Sequence, residues 1–288
     1  MGALMAVTDK NLDAVARAAT QSGLPGLDRV LIWFNDPANW HGPEGLLTRV
    51  EQHLLLALFI VAVACAIAIP VGAVIGHTGR GAVVVAGTAN ALRAIPGLGL
   101  LILLIVTVSP HINVATGITS AAPPGSVPYL IPVLIVLLIL AIPPALSATY
   151  AGVQAVEPSV KDAAIGIGLS PAQVLVRVEL PMAVPVIAAG VRSCALQVIA
   201  SLSVAAYAPL IGGLGRFIAD GAQNVTDPRY GYPAMLAAAI TIAVMAVATD
   251  ALAGVAGRHL TPRGIRGTTR SPSTATRAHT RTRKRNQS

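Results

Sequence analysis

Residues Leu54 to Ile75 read LLLALFIVAVACAIAIPVGAVI, with no Asp, Glu, Lys or Arg. A helix crosses a hydrocarbon core of about 30 Å with roughly 20 apolar residues. This stretch has that length, and the charge-free run around it extends from Gln52 to Gly79. Further runs without charge cover Ala94–Val156, Ser193–Gly215 and Tyr230–Thr249. Of the 288 residues, 54% are hydrophobic and only 11% charged. A soluble domain carries charge on about a quarter of its residues. The chain therefore lacks the charge to cover a water-exposed surface, which counts against a very hydrophobic soluble helical protein. It reads as an all-α polytopic membrane protein.

Working outward, the expected spans are Leu54–Ile75, Ala82–Val108, Leu130–Ala148, Ala183–Ala206 and Ala234–Ala256. That makes five core spans, or six if an irregular span forms among residues 24–45. Arg93 and Pro96 interrupt the second. Pro96 lacks a backbone donor and disfavours helix at Ile95. The segment is either one kinked span or a short re-entrant or interfacial helix leading into a span. A broken helix at membrane depth is tolerated where protein or a water-filled cavity surrounds it, so Arg93–Pro96 is a candidate pathway wall. Residues 109–127 and 207–233 read as loops. Residues 1–50 form a lead-in with a turn cluster at Asn35–Asn39. Its apolar segment Leu27–Phe34 is too short to span and suits the interface, with Trp33 and Trp40 at headgroup depth.

The net charge of +8 is concentrated at one end. Residues 257–288 hold nine Lys or Arg and no acid, so the rest of the chain sums to −1. This Thr/Ser-rich tail has no apolar face and reads as disordered. It is a topology signal that also suits anionic lipid headgroups; its RTRKR run is weak support for nucleic-acid binding, and no nucleic-acid partner is expected. The loops after spans one, three and five carry Arg80, then Lys161 and Arg177, then the tail. The positive-inside rule places the 150–181 loop and the C-terminus in the cytoplasm and the N-terminus outside. Cys65 and Cys194 lie in apolar stretches and read as small buried residues. The six histidines are scattered, so no metal or enzymatic cluster is expected.

The loop Ser159–Pro185 reads SVKDAAIGIGLSPAQVLVRVELPMAVP. Ser159 is placed to cap one short helix that ends at the Gly166–Gly168 pair. Ser170 is placed to cap a second, with Pro171 in the first helical position and Gln173 completing a capping box. The second helix is expected to end near Leu180-Pro181. Ala163, Ala164 and Gly168 are small enough for another protein surface to come close, and Val174, Leu175 and Val178 give the second helix an apolar face. Two readings follow: a docking knob, or an ordinary amphipathic connection lying on the membrane.

The run Asp162-Ala163-Ala164, three residues, Gly168, nine residues, Val178, one residue, Leu180-Pro181 resembles the cytoplasmic loop of ABC importer permeases. Their pattern is Glu-Ala-Ala, three residues, Gly, nine residues, Ile, one residue, Leu-Pro. Asp162 for Glu and Val178 for Ile are the departures. QHLLLAL at 52–58, IAIPVGAVIG at 67–76 and NALRAIPGLGL at 90–100 resemble osmoprotectant permeases, in which a Gln or similar residue often stands where Arg93 stands here. The likeness covers about residues 45–256. It implies a type I (MetI-like) permease fold, with residues 51–256 as the transmembrane domain and 157–181 as its coupling loop. It also implies a second permease subunit, identical or not, two ATPase subunits and an extracytoplasmic binding protein. The solute would be glycine betaine, choline, carnitine or proline, or another small solute such as an amino acid. This chain has no phosphate-binding Gly-x-x-x-x-Gly-Lys-Ser/Thr loop; no cofactor is expected in it, and ATP-Mg would sit on the partner ATPase.

Ionisable residues inside spans mark a function or a partner. Arg93, Arg192 and Asp250, with Pro96, are the pathway candidates. Arg192 also has a structural reading, snorkelling to the interface, and Asp250 is placed to pair with either arginine. A secondary transporter is the competing class, but it would need internal inverted repeats and more spans.

Overall fold

A computed structural model of the chain describes residues 27–81, 87, 91, 95–116, 127–206, 212–225, 227 and 231–260. All regular structure among them is helical. The elements in chain order are α1 (Leu27–Asn35), a 3-10 turn (Pro37–Asn39), α2 (Leu46–Thr78), α3 (Gly97–Thr116) and α4 (Val127–Gln154). They continue with α5 (Pro158–Gly166), α6 (Pro171–Ala205), α7 (Gly215–Gln223) and α8 (Tyr232–Leu260). Leu175–Glu179 within α6 is π-helical.

Among the described residues four helices are long and apolar enough to cross a membrane: Leu46–Thr78, Tyr129–Gln154, Pro171–Ala205 and Tyr232–His259. A shorter apolar helix covers Gly97–Ile112. The expected sixth span is not formed at 27–45. Helix α1 has nine residues, or about 13 Å of rise. It stops where the Asp36 side chain accepts the Ala38 N–H at 2.9 Å and starts the 3-10 turn. The turn cluster at Asn35–Asn39 is where the sequence placed it. Trp33 is buried edge-on against Phe217 at 5.6 Å, turned inward where an interfacial anchor was expected.

Helix α4 is the central strut, packed between α2 and α6, with α3 on α4 and α8 on α6. Lipid offers no hydrophobic drive for helices to associate, so close van der Waals contact has to hold them. Gly72 and Gly76, spaced four apart on α2, permit that contact. A Cβ on Gly72 would sit 2.8 Å from the Leu146 carbonyl oxygen, and one on Gly76 would sit 2.8 Å from Val153 Cβ. Gly190 of α6 meets Ala148 of α4 in the same way. Ile60, Val133, Leu137, Ala141, Cys194 and Val198 fill the core between these helices. Leu55, Leu58, Phe59, Leu103, Val106 and Val247 are exposed, an apolar outer belt that matches a bilayer solvent.

Two loops differ from expectation. Helix α3 runs through Pro110 to Thr116, past the expected end at Val108. The segment 207–233 contains α7, whose first turns are braced by Arg216 Nε donating to Asp220 Oδ2 at 2.8 Å; this i,i+4 pair is a helix signal that the surrounding glycines obscured.

Candidate functional site

The α5–α6 loop is built by its capping residues. Glu157, in extended conformation, is the N-cap of α5, and Pro158 takes the first helical position. The expected cap at Ser159 is therefore overturned: proline at N1 needs no N–H, which moves the cap to Glu157. Helix α5 ends where the Leu169 N–H reaches the Ala164 carbonyl at 3.2 Å and Gly168 adopts φ +91, a glycine-closed C-terminus. Ser170 caps α6 with the full capping box to Gln173, and Pro171 follows it, as the sequence indicated.

Helix α6 then continues without a break at Leu180-Pro181, contrary to expectation. The π stretch Leu175–Glu179 carries the loop helix directly into the long apolar helix. Pro181 sits in the first turn of the regular α-helix that follows this stretch.

The motif residues divide between two faces. Asp162, Ala163 and Gly168 are exposed, while Ala164 is buried. A Cβ at Gly168 would meet nothing within 4 Å, so that side of the turn is open. Val178, Leu180 and Pro181 are half-buried. Leu175 and Leu180 pack on a small core of Ala73, Val153 and Ala183 that joins α2, α4 and α6.

Three residues missed by sequence reasoning lock this loop to the bundle. Glu179, fully buried, accepts a hydrogen bond from His77 Nδ1 of α2 at 2.7 Å. Its other oxygen lies 2.8 Å from Lys161 Nζ of α5, an ion contact outside hydrogen-bond alignment. Lys161 Nζ also approaches the Val153 carbonyl of α4 at 3.4 Å. One carboxylate thus ties α5, α6 and α2 together. The only hint in the sequence was a lone acid beside Leu180-Pro181; its partners lie far along the chain.

Of the pathway candidates, Arg192 and Asp250 come together: Nε and Nη2 of Arg192 donate to the two carboxylate oxygens of Asp250, joining α6 to α8. The fork-to-fork geometry suits the guanidinium. Both side chains keep substantial exposure, 43% and 34%, so the pair lies on the surface of the single chain. Pro96 precedes α3, its carbonyl accepting the Leu100 N–H at 3.0 Å, and lines a cavity between α3, α4 and α6. Arg93 and residues 261–288 of the basic tail lie outside the described residues; residues 257–260, expected in the disordered tail, instead continue α8 to Leu260. Among the described residues no three His, Cys, Asp or Glu gather as metal ligands, and Cys65 and Cys194 are free thiols.

Residues 68–262 match the family described as the binding-protein-dependent transport system inner membrane component. The chain belongs to this family. It is a multi-pass permease subunit and not an ATPase. The carnitine transport permease protein OpuCB of Listeria monocytogenes is 31% identical over 83% of this permease and 97% of its own length. The choline transport system permease protein OpuBB of Bacillus subtilis is 29% identical, covering 76% and 90% of the two chains. The osmoprotectant import permease protein OsmW of Salmonella typhimurium is 30% identical, covering 77% and 94%. In fold, the permease is similar to a chain of the MetNI methionine ABC transporter in an inward-facing conformation. The TM-score is 0.60 at 20% identity, over 75% of this permease and 96% of that chain. The expected all-α, MetI-like polytopic fold is supported by this likeness, whereas the expected five or six spans are not met: four helices among the described residues are long and apolar enough, and the expected second span is represented by the shorter Gly97–Ile112 helix.

Proposed function

We propose that this permease carries a compatible solute of the glycine betaine, carnitine, choline or proline type through the cytoplasmic membrane. It is driven by a separate ATPase that pushes on the 157–181 loop. Support for the solute class comes from relatives named for choline, carnitine and osmoprotectant transport, which the chain spans almost end to end. Support for the coupling role rests on one observation: an exposed, small-residue turn at Ala163 and Gly168 is braced rigidly, through buried Glu179, to α2 and α6. A push on such a turn moves helices as bodies, the kind of change that switches a transporter between two states.

In this reading the loop and the C-terminus face the cytoplasm. Arg80, Lys161 and Arg177 belong to the loop end, and Gly257 near the end of α8 lies against Ala188 of α6. Helix α3 completes a set of five spans. A second permease, an extracytoplasmic binding protein and the ATP-loaded ATPase complete the complex. The Arg192–Asp250 pair neutralises two charges that lipid would not accept singly.

The test is reconstitution of the permease with its ATPase and binding protein in liposomes, following radiolabelled glycine betaine with and without ATP. The expected result is ATP-dependent uptake that disappears in Gly168→Asp. A side chain at this positive φ strains the backbone by about 1–2 kcal/mol and puts a charge on an open turn, so the bundle still forms. ATP-independent uptake would indicate a secondary carrier. ATPase binding that depends on Gly168, without uptake, would retain the importer and reject this solute.

A further inference from the structure

The cavity beside Pro96 measures about 380 Å³, within the range of small-ligand sites. It lies at the end of the bundle remote from the loop. His53 Nε2 near the start of α2 is 3.1 Å from the Ile199 carbonyl, and the Gln52 side chain accepts the Gly213 N–H at 2.9 Å. Its walls are hydrocarbon from Pro96, Leu101, Val136 and Leu140. One edge is polar: Gln197 and Ser201, one turn apart on α6, with Gln197 Nε2 donating to Ser201 Oγ at 3.0 Å.

That contact leaves hydrogen-bonding capacity free. The second Gln197 amide N–H and the Ser201 hydroxyl proton remain as donors. Gln197 is exposed in the single chain, and an exposed amide on a membrane-spanning helix is costly unless water, protein or solute meets it. Among the described residues that line it, none is ionisable and none is aromatic. Among these residues a solute with net charge finds neither a counter-charge nor a π face. A zwitterion brings its own compensation: its carboxylate meets the two donors and its alkylated ammonium rests on the hydrocarbon wall.

The geometry points to this cavity as a station on the solute path for compact zwitterions, with Gln197 and Ser201 holding the carboxylate. The inference rests on the importer reading above and narrows it to net-neutral solutes.

The complete complex in liposomes tests it. Glycine betaine moved per ATP hydrolysed is measured beside the ATPase rate stimulated by loaded binding protein. Solute per ATP should fall several-fold in Ser201→Ala and about tenfold in Gln197→Met, the scale on which one lost solute contact discriminates. It should fall further in Gln197→Glu, whose charge repels the carboxylate. The stimulated ATPase rate should hold, because the loop end is untouched. Unchanged solute per ATP in all three variants overturns the station and leaves the cavity to lipid or the second permease. Uptake and ATPase falling together overturn it as a structural effect. A Gln197→Glu variant no worse than Gln197→Met overturns the carboxylate contact. If Gln197→Glu does not assemble, the two neutral variants decide. Wild-type complex that moves no glycine betaine overturns the solute reading itself, and is told apart by the absence of a reference rate.

Discussion

At Glu179, α6 is gripped by Lys161 and His77, and the carboxylate between them is fully buried. Eighteen residues later, at Gln197, the same helix faces a cavity whose lining, among the described residues, holds no ionisable side chain. The distance between them is about 27 Å of continuous helix. The loop end is suited to transmit force, because a buried ion cluster resists shear between the elements it joins. The far end is suited to pass solute, because hydrocarbon and two neutral hydrogen-bonding groups hold a guest without trapping it. A rigid helix joining two such ends needs no chemistry of its own to connect them.

This contrast can be broken most severely at Glu179. Removing one partner from a buried ion cluster costs about 3–5 kcal/mol, so Glu179→Ala should lower the thermal unfolding temperature of the detergent-solubilised permease strongly. Lys161→Ala leaves the fully buried Glu179 carboxylate without its lysine and should cost a comparable amount. Equal and small losses in both would show that the cluster does not brace the loop. In the middle of the helix, Gly190→Val should cost about 1–3 kcal/mol through overpacking against Ala148, visible in the same melt. At the loop end, Ser170→Ala removes half of a capping box and should cost about 1 kcal/mol; ATP-dependent uptake should drop by no more than this destabilisation explains. At the cavity end, Ser201→Ala should leave stability within about 0.5 kcal/mol of wild type while solute per ATP falls. A Ser201→Ala variant as unstable as Glu179→Ala would erase the distinction between the two ends.

Much of the loop was legible because its determinants are local. Ser170, Pro171 and Gln173 cap a helix by interactions across three residues, and Gly168 closes one through its own φ. The Ser159 cap misled because Pro158, one position earlier, is the stronger start signal. Leu180-Pro181 misled because the π stretch lets α6 continue where a proline suggested a stop. The aromatic residues also misled: Trp33 had an interfacial pattern, yet Phe217, far away in sequence, drew it inward.

The sequence by itself determined that the chain is a helical membrane protein, where its long apolar helices lie and which family its loop belongs to. Charge-free length and short-range spacing are properties of the chain read in one dimension. Only the tertiary structure decided that Glu179 meets His77 and Lys161, that Arg192 takes Asp250, and that Gln197 and Ser201 share a cavity with Pro96. Those meetings depend on the rotation and depth at which α2, α3, α4 and α8 pack on α6. Small residues such as Gly72, Gly76 and Gly190 set that packing through contacts whose partners no local pattern names.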